Sequence, residues 1–130
     1  MTWDPGDFLV AQSYGPAKRS GYVYRGLVMY RLSQLPRKRK SLWSLVHLNT
    51  GHEVCKLWGG VKTALKVATE IAECGDWDFV GLRGYENYDP AILHRMEAIV
   101  NRHPTIASHR DKTVPANEAV ARQIAMERAS

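Results

Sequence analysis

Ser41-Leu-Trp-Ser-Leu-Val-His-Leu-Asn-Thr-Gly-His52, continuing through Glu53-Val-Cys-Lys-Leu-Trp58 to Gly59-Gly60, is the stretch that decides how this chain folds. Leu42 to Leu48 is a short apolar-rich run, Asn49-Thr50-Gly51 a tight turn, and Glu53 to Trp58 the return. Asn and Thr suit the centre of a type I turn, and a glycine just after it supplies the positive φ of a G1 bulge. The stretch therefore predicts an antiparallel hairpin.

Beyond Gly59-Gly60 the apolar period changes. Val61, Ala64, Leu65, Ala68, Ile71 and Ala72 recur at steps of three and four, with Lys62, Lys66, Glu70 and Glu73 on the other side. That spacing predicts an amphipathic helix ending near Cys74, before Gly75. Asp76 to Val80 leads into a loop that runs to Tyr88. Asp89-Pro90 then combines a carboxylate N-cap with proline at the first helical position. Ile92, Leu93, Met96, Ile99 and Val100 supply the stripe of a second helix, which His103-Pro104 ends. Residues 104–114 read as a polar linker. Pro115 opens a last helix to about Arg128, whose large aliphatics are Val120 and Ile124, with Met126 beside them; it reads as weakly docked or used in a partner contact.

Working back from Ser41, residues 33–41 break the β pattern, because Pro36 and a cation run do not continue a strand easily. Gly21 to Leu32 mixes Tyr22, Tyr24 and Tyr30 with Val23, Leu27, Val28 and Met29, residues that favour a pleated, half-buried surface. Residues 1–20, punctuated by Pro5, Gly6, Gly15 and Pro16, read as an irregular arm in which Phe8 to Val10 forms at most a short edge strand. The expected fold is α+β: a three-stranded antiparallel sheet with two to three helices packed mainly on one face. The expected division is an arm over 1–20, a core domain over 21–103, and a linker with a C-terminal helix over 104–130.

The 130 residues suit one domain, and 45% hydrophobic with 24% charged residues argues for a packed core rather than disorder. No apolar run approaches the roughly 18–20 residues that span a bilayer, so no membrane partner is expected. Met1 to Gly6 shows neither the basic nor the apolar region of a signal peptide. Cys55 and Cys74 are too few for a disulfide scaffold and are expected as reduced thiols in a cytoplasmic protein.

Charge is distributed unevenly. Between Phe8 and His52 there is no Asp or Glu, and eight cations: Lys18, Arg19, Arg25, Arg31, Arg37, Lys38, Arg39 and Lys40. Residues 53–130 hold ten cations and eleven carboxylates, so the net charge of +5 comes from the first part of the chain. Phosphate backbones reward Lys and Arg through counterion release, and interleaved aromatics offer stacking surface to unpaired bases. Tyr14, Tyr22, Tyr24, Tyr30 and Trp43 lie among the cations. The same residues also fit contact with an acidic protein surface, or a solvated turn with its tyrosines in the core.

Other constellations carry less. Gly59-Gly60 before a helix with Lys62 and Lys66 suits a phosphate, but the P-loop spacing is missing and a flexible link explains the glycines. Asp76, Asp78, Glu86 and Asp89 could hold a metal or act as acid and base, yet no ligand spacing is recognisable and Asp89 has a capping role. His47, His52, His94, His103 and His109 form no zinc pattern, and Cys55 reads as a buried small hydrophobe. Trp43, Trp58 and Trp77 are expected in the core. Trp3, in the arm, fits either a partner pocket or core capping.

Ser41 to His52, followed by Ala64 to Trp77, resembles a pattern found in short proteins of bacterial plasmids and phages: strand, Thr-Gly turn, strand, alanine-rich helix, then Trp-Asp. The resemblance covers roughly residues 41–79. Some mobile-element proteins of this size are host-defence inhibitors, including anti-CRISPR proteins, which are typically non-enzymatic and occupy a surface on a defence complex. Many of those are acidic and imitate DNA; this chain departs from them in being basic. The resemblance implies a block on a protein or guide-RNA surface, or direct contact with nucleic acid.

These readings converge on a non-enzymatic binding protein without metal or cofactor. Its expected partner is nucleic acid, or an acidic or nucleoprotein surface of a host complex. The expected contacts are Arg37, Lys38, Arg39 and Lys40, helped by Lys18, Arg19, Arg25, Arg31, Tyr22 and Tyr24. The alternative is an inhibitor that blocks a host defence complex by direct protein contact.

Overall fold

A computed structural model describes residues 2–12, 15–35, 40–78 and 89–109, together with 120, 123, 124 and 126; for 33–35 and 40 it describes the backbone alone. Six strands run in sequence order: β1 (Asp4–Gln12), β2 (Gly15–Tyr24), β3 (Leu27–Leu35), β4 (Lys40–His47), β5 (Glu53–Gly59) and β6 (Ala107–His109). They form one antiparallel sheet ordered β1-β2-β3-β4-β5-β6. Among the described residues, helices α1 (Val61–Glu73) and α2 (Pro90–Arg102) follow β5. The protein is α+β, but the expected three-stranded sheet is wrong: the sheet has six strands.

The missing strands have identifiable causes. Gly21 to Leu32 reads as one strand because its apolar residues are continuous, yet the chain reverses at Arg25-Gly26. Arg25 has φ 50° and Gly26 φ 83°. Positive φ at both central residues is the two-residue hairpin turn whose twist matches the strands it joins. Residues 4–12 and 15–24, expected mostly as an irregular arm, pair over nine registered positions from Asp4↔Val23 to Gln12↔Gly15. Pro5 is tolerated because β1 is an edge strand. The short β6 pairs with β5 through Leu57↔Ala107 and Cys55↔His109, inside what reads as linker.

The sheet is covered on both faces, by different means. Leu27, Met29, Trp43, Leu45, Cys55 and Leu57 face the helices. Ala64, Val67, Ala68, Ile71 and Ala72 of α1 and Ile92, Met96, Ile99 and Val100 of α2 complete that core. The alanines let α1 sit close to β5, and each fully buried large aliphatic contributes about 1.5–3 kcal/mol. Helix α2 starts as its sequence implies, with Asp89 accepting from Ala91 N at 2.8 Å and Pro90 at the first position. On the other face Phe8, Val10 and Ala17 of the β1–β2 hairpin pack against Val28, Tyr30 and Val46.

Gly21 makes that second layer possible. Pairing of β2 with β3 stops at Tyr22↔Met29, and a Cβ on Gly21 would collide with the carbonyl oxygen of Met29. Beyond that crossing the hairpin lies over the sheet, until Ala11 N donates to Gly51 O in the β4–β5 turn at 2.9 Å. Gly51, at φ 70°, lies so close to Ala11 N and to Ile124 Cδ1 that a Cβ there would stand 2.8 and 2.6 Å from them. Val120 and Ile124, the aliphatics of the expected last helix, are both buried; the rest of that segment lies largely outside the described residues.

Substitution at Gly21, where the hairpin crosses, and at Gly26, in the β2–β3 turn, tests this arrangement. Gly21→Ala meets backbone, and Gly26→Ala combines a disfavoured φ with a Cβ 2.9 Å from the Trp77 carbonyl. Each is expected to lower unfolding free energy by about 2 kcal/mol or more, whereas Gly60→Ala, with open space around it, changes it by about 0.5 kcal/mol at most. Urea denaturation of the three variants measures the difference.

Candidate functional site

The sequence-predicted cations do not form one patch. Arg37, Lys38 and Arg39 lie outside the described residues, and for Lys40 only the backbone is described, as the first residue of β4. Lys18 is on the β1–β2 hairpin, 3.7 Å from the Asp7 carboxylate. A hydrogen bond from Ser20, and then the Lys18 charge, hold the Asp7 carboxyl below its usual range. Arg19 projects from the opposite side of β2 and lies 5.9 Å from the Tyr30 ring centroid, on the sheet face away from the helices. Arg31 lies over Trp43 at 4.9 Å, on the helix-covered face. Arg25 stands in the β2–β3 turn, 5.8 Å from the Tyr24 ring. That turn and the β3–β4 connection are at opposite ends of the nine-residue strand β3, roughly 25 Å apart at strand rise.

Three of the four described cations thus lie over an aromatic ring, a contact worth about 0.5–1 kcal/mol at exposed sites. The aromatic partners are mostly committed to the fold. Tyr30 and Trp43 are buried, and the Trp43 indole donates to Gly59 O at 3.0 Å. Tyr24 donates its hydroxyl to Glu73 at 3.0 Å, and that bond pushes its pKa up. Tyr22 is half-buried beside Trp43, with ring centroids 6.5 Å apart.

Trp3 and Trp58 exchange the roles their positions imply. Trp3 packs on Tyr24 at 5.2 Å and donates its indole N–H to Thr69 Oγ1 of α1 at 2.9 Å. Trp58, expected in the core, is 37% exposed. Strand alternation predicts this: Cys55 and Leu57 face the helices, so Lys56 and Trp58 face away. An apolar count hides it; the period-2 reading of β5 finds it.

Among the described residues, Cys55 does not join the carboxylates that follow α1. Asp76, Asp78 and Glu73 line an open groove of about 600 Å³ with Arg25, Gly26, Gly75 and Trp77. Asp89 caps α2, and Glu86 lies outside the described residues. No group of three His, Cys, Asp or Glu side chains able to hold a metal occurs among the described residues. Cys55 is wholly buried in the core, and desolvation pushes its thiol pKa far up, which keeps it protonated. Burial also raises the Cys74 thiol, against a smaller opposing effect of Arg95. Among the described residues no helix is long and apolar enough to cross a membrane.

His47 is held at both ring nitrogens. It is wholly buried, Nδ1 lies 2.8 Å from Thr50 Oγ1, and Nε2 lies 2.8 Å from the Trp77 carbonyl oxygen. A carbonyl only accepts, so Nε2 carries a proton. His103 makes a different contact, 2.7 Å from Glu70 across the α1–α2 junction.

No family model matches this chain, and neither a curated protein nor a solved structure is detectably similar to it.

Two measurements probe the polar groups. His47→Ala leaves the Thr50 hydroxyl and the Trp77 carbonyl without this partner in a dry interior, and is expected to cost about 2–4 kcal/mol in urea unfolding. Tyr30 has a pKa raised mainly by burial, so its folded state favours the neutral phenol. Its contribution is full below the ordinary value of about 10 and falls as pH rises through it. Unfolding midpoints followed from pH 8.5 to 11 should decline, and Tyr30→Phe should make the decline shallower.

Proposed function

We propose that the protein is a non-enzymatic binding protein that engages nucleic acid, or the nucleic-acid part of a nucleoprotein complex, at the β3–β4 end of its sheet. The observation that supports this best is Arg31. It is exposed, lies over Trp43 at 4.9 Å and forms no ion pair among the described residues, on the strand whose continuation carries Arg37, Lys38, Arg39 and Lys40. No carboxylate occurs in sequence between Phe8 and His52 to neutralise this end locally. Phosphate contacts, with counterion release, supply the affinity. Lys18, held by Asp7, and Arg25, in a groove with three carboxylates, are secondary contributors. A cytoplasmic location, where nucleic acid is accessible, belongs to the same reading.

Affinity for a labelled oligonucleotide should fall steeply with salt, each phosphate contact adding about 0.7–0.9 to the log–log slope. Replacing Arg37, Lys38, Arg39 and Lys40 together by Ala should weaken binding at least about tenfold and flatten the slope, with the melting temperature unchanged. Unaltered affinity would remove the proposal. A stable partner recovered after nuclease treatment would favour inhibition of a host defence complex by direct protein contact.

A further inference from the structure

The β1–β2 hairpin is attached to the rest of the protein in two different ways. Its base is tied to β3 and to α1. Tyr22, Val23 and Tyr24 pair with Met29, Val28 and Leu27, Trp3 donates to Thr69 Oγ1 at 2.9 Å, and Tyr24 donates to Glu73 at 3.0 Å. Past the crossing at Gly21 the hairpin rests on the other face of the sheet, mainly through side chains. Phe8, Val10 and Ala17 cover Val28, Tyr30 and Val46, hydrogen bonds join the Tyr30 hydroxyl to Gln12 and to Ser44, and Ala11 N donates to Gly51 O at 2.9 Å.

Between base and cover both strands carry glycine at the same register position, Gly6↔Gly21. The close passage beside the Met29 carbonyl requires only that Gly21 lack a Cβ. A Cβ on Gly6 would meet Val23 Cγ2 at 3.4 Å, an ordinary contact, and Gly6 has no positive φ. Neither packing nor φ requires this second glycine. Glycine weakens a strand and admits many backbone conformations, so the ribbon is softest where both strands carry one. Just beyond, the strands are tied together again: Asp7 accepts from the Ser20 hydroxyl at 2.5 Å and lies 3.7 Å from Lys18 Nζ. A bend at the glycine pair thus moves the cover as one piece.

We infer that the β1–β2 hairpin beyond Gly6 and Gly21 is a lid, which lifts from the sheet as a unit about that glycine pair while its base and the helix-side core stay folded. The two cores are unequal. The one under the lid is Phe8, Val10, Ala17, Val28, Tyr30 and Val46, whereas the other joins β3, β4 and β5 to both helices. Local opening costs what its buried contacts supply, so the lid opens before the helix-covered core does. Lifting bares Val28, Tyr30 and Val46 on the face where Trp58 is already exposed.

The test compares two thiols in one molecule. Val46→Cys places one under the lid, Cys55 in the helix-side core is the internal control, and Cys74→Ala removes the third thiol. Labelling under native conditions is read by peptide mass, each rate normalised to that of the unfolded chain. The thiol at position 46 should react at least about tenfold faster than Cys55. Adding Ile99→Val, in the helix-side core, should speed Cys55 about two- to tenfold and leave position 46 unchanged. Adding Gly6→Ala should slow position 46 about two- to fivefold, because alanine restricts the backbone that has to bend. In the unaltered chain, hydrogen exchange should show the Ala11 amide at least about tenfold faster than the slowest amides of β4 and β5, which keeps the test available if Val46→Cys does not fold. Equal rates at the two thiols, or a common acceleration by Ile99→Val, would mean that the cover leaves only when the whole domain unfolds, and the lid is overturned. An unchanged rate at position 46 in Gly6→Ala overturns the hinge, and with it the inference.

Discussion

His47 and Trp77 hold together three parts of the chain at a point that water does not reach. The imidazole spans from the Thr50 hydroxyl in the β4–β5 turn to the Trp77 carbonyl just after α1, each at 2.8 Å. The Trp77 indole returns to the Ile71 carbonyl within α1, at 2.9 Å. Against the same residue lies Gly26, whose missing Cβ lets the β2–β3 turn come into contact with the Trp77 backbone. The β4–β5 turn and the end of α1 thereby share one set of buried polar groups, and the β2–β3 turn packs against it. Buried donors and acceptors without partners cost far more than the net gain of pairing them, so this small network fixes how the sheet and α1 meet.

From that anchor follows the two-sided sheet. The helices satisfy one face, with the alanines of α1 against β5. The other face would be left wet and apolar by Val28, Tyr30 and Val46, and the β1–β2 hairpin covers it after crossing at Gly21. The cover is anchored at the β4–β5 turn, where Ala11 bonds Gly51 and Ile124 closes in. It leaves Leu42, Trp58 and Leu32 at the far end outside the second core. An apolar exposure at one end of a face is therefore a consequence of where the hairpin docks.

The same docking redistributes the charges. Consecutive cations of an acid-free segment look like one patch when read along the chain. Alternation in β2 and β3 sends Arg19 and Arg31 to opposite faces, and the turn at Arg25-Gly26 carries Arg25 to the far end of β3. The cations stay beside aromatic rings, but two of the rings they cover, Tyr30 and Trp43, are buried core residues.

The sequence by itself determined what depends on neighbours within a few residues. The hairpin at Asn49-Thr50-Gly51, the apolar stripe of α1, and the Asp89-Pro90 start of α2 are local patterns, and each forms where its residues imply. It also determined where net charge lies along the chain. Only the tertiary structure decided that residues 4–12 and 15–24 are strands, because their stability comes from pairing with each other and burial against Tyr30 and Val46, contacts with no periodic trace in a segment broken by Pro5, Gly15 and Pro16. It likewise decided that Trp3 is docked and Trp58 exposed. A tryptophan's burial is set by which layer reaches it, and that layer here is a hairpin whose path depends on a steric passage at Gly21.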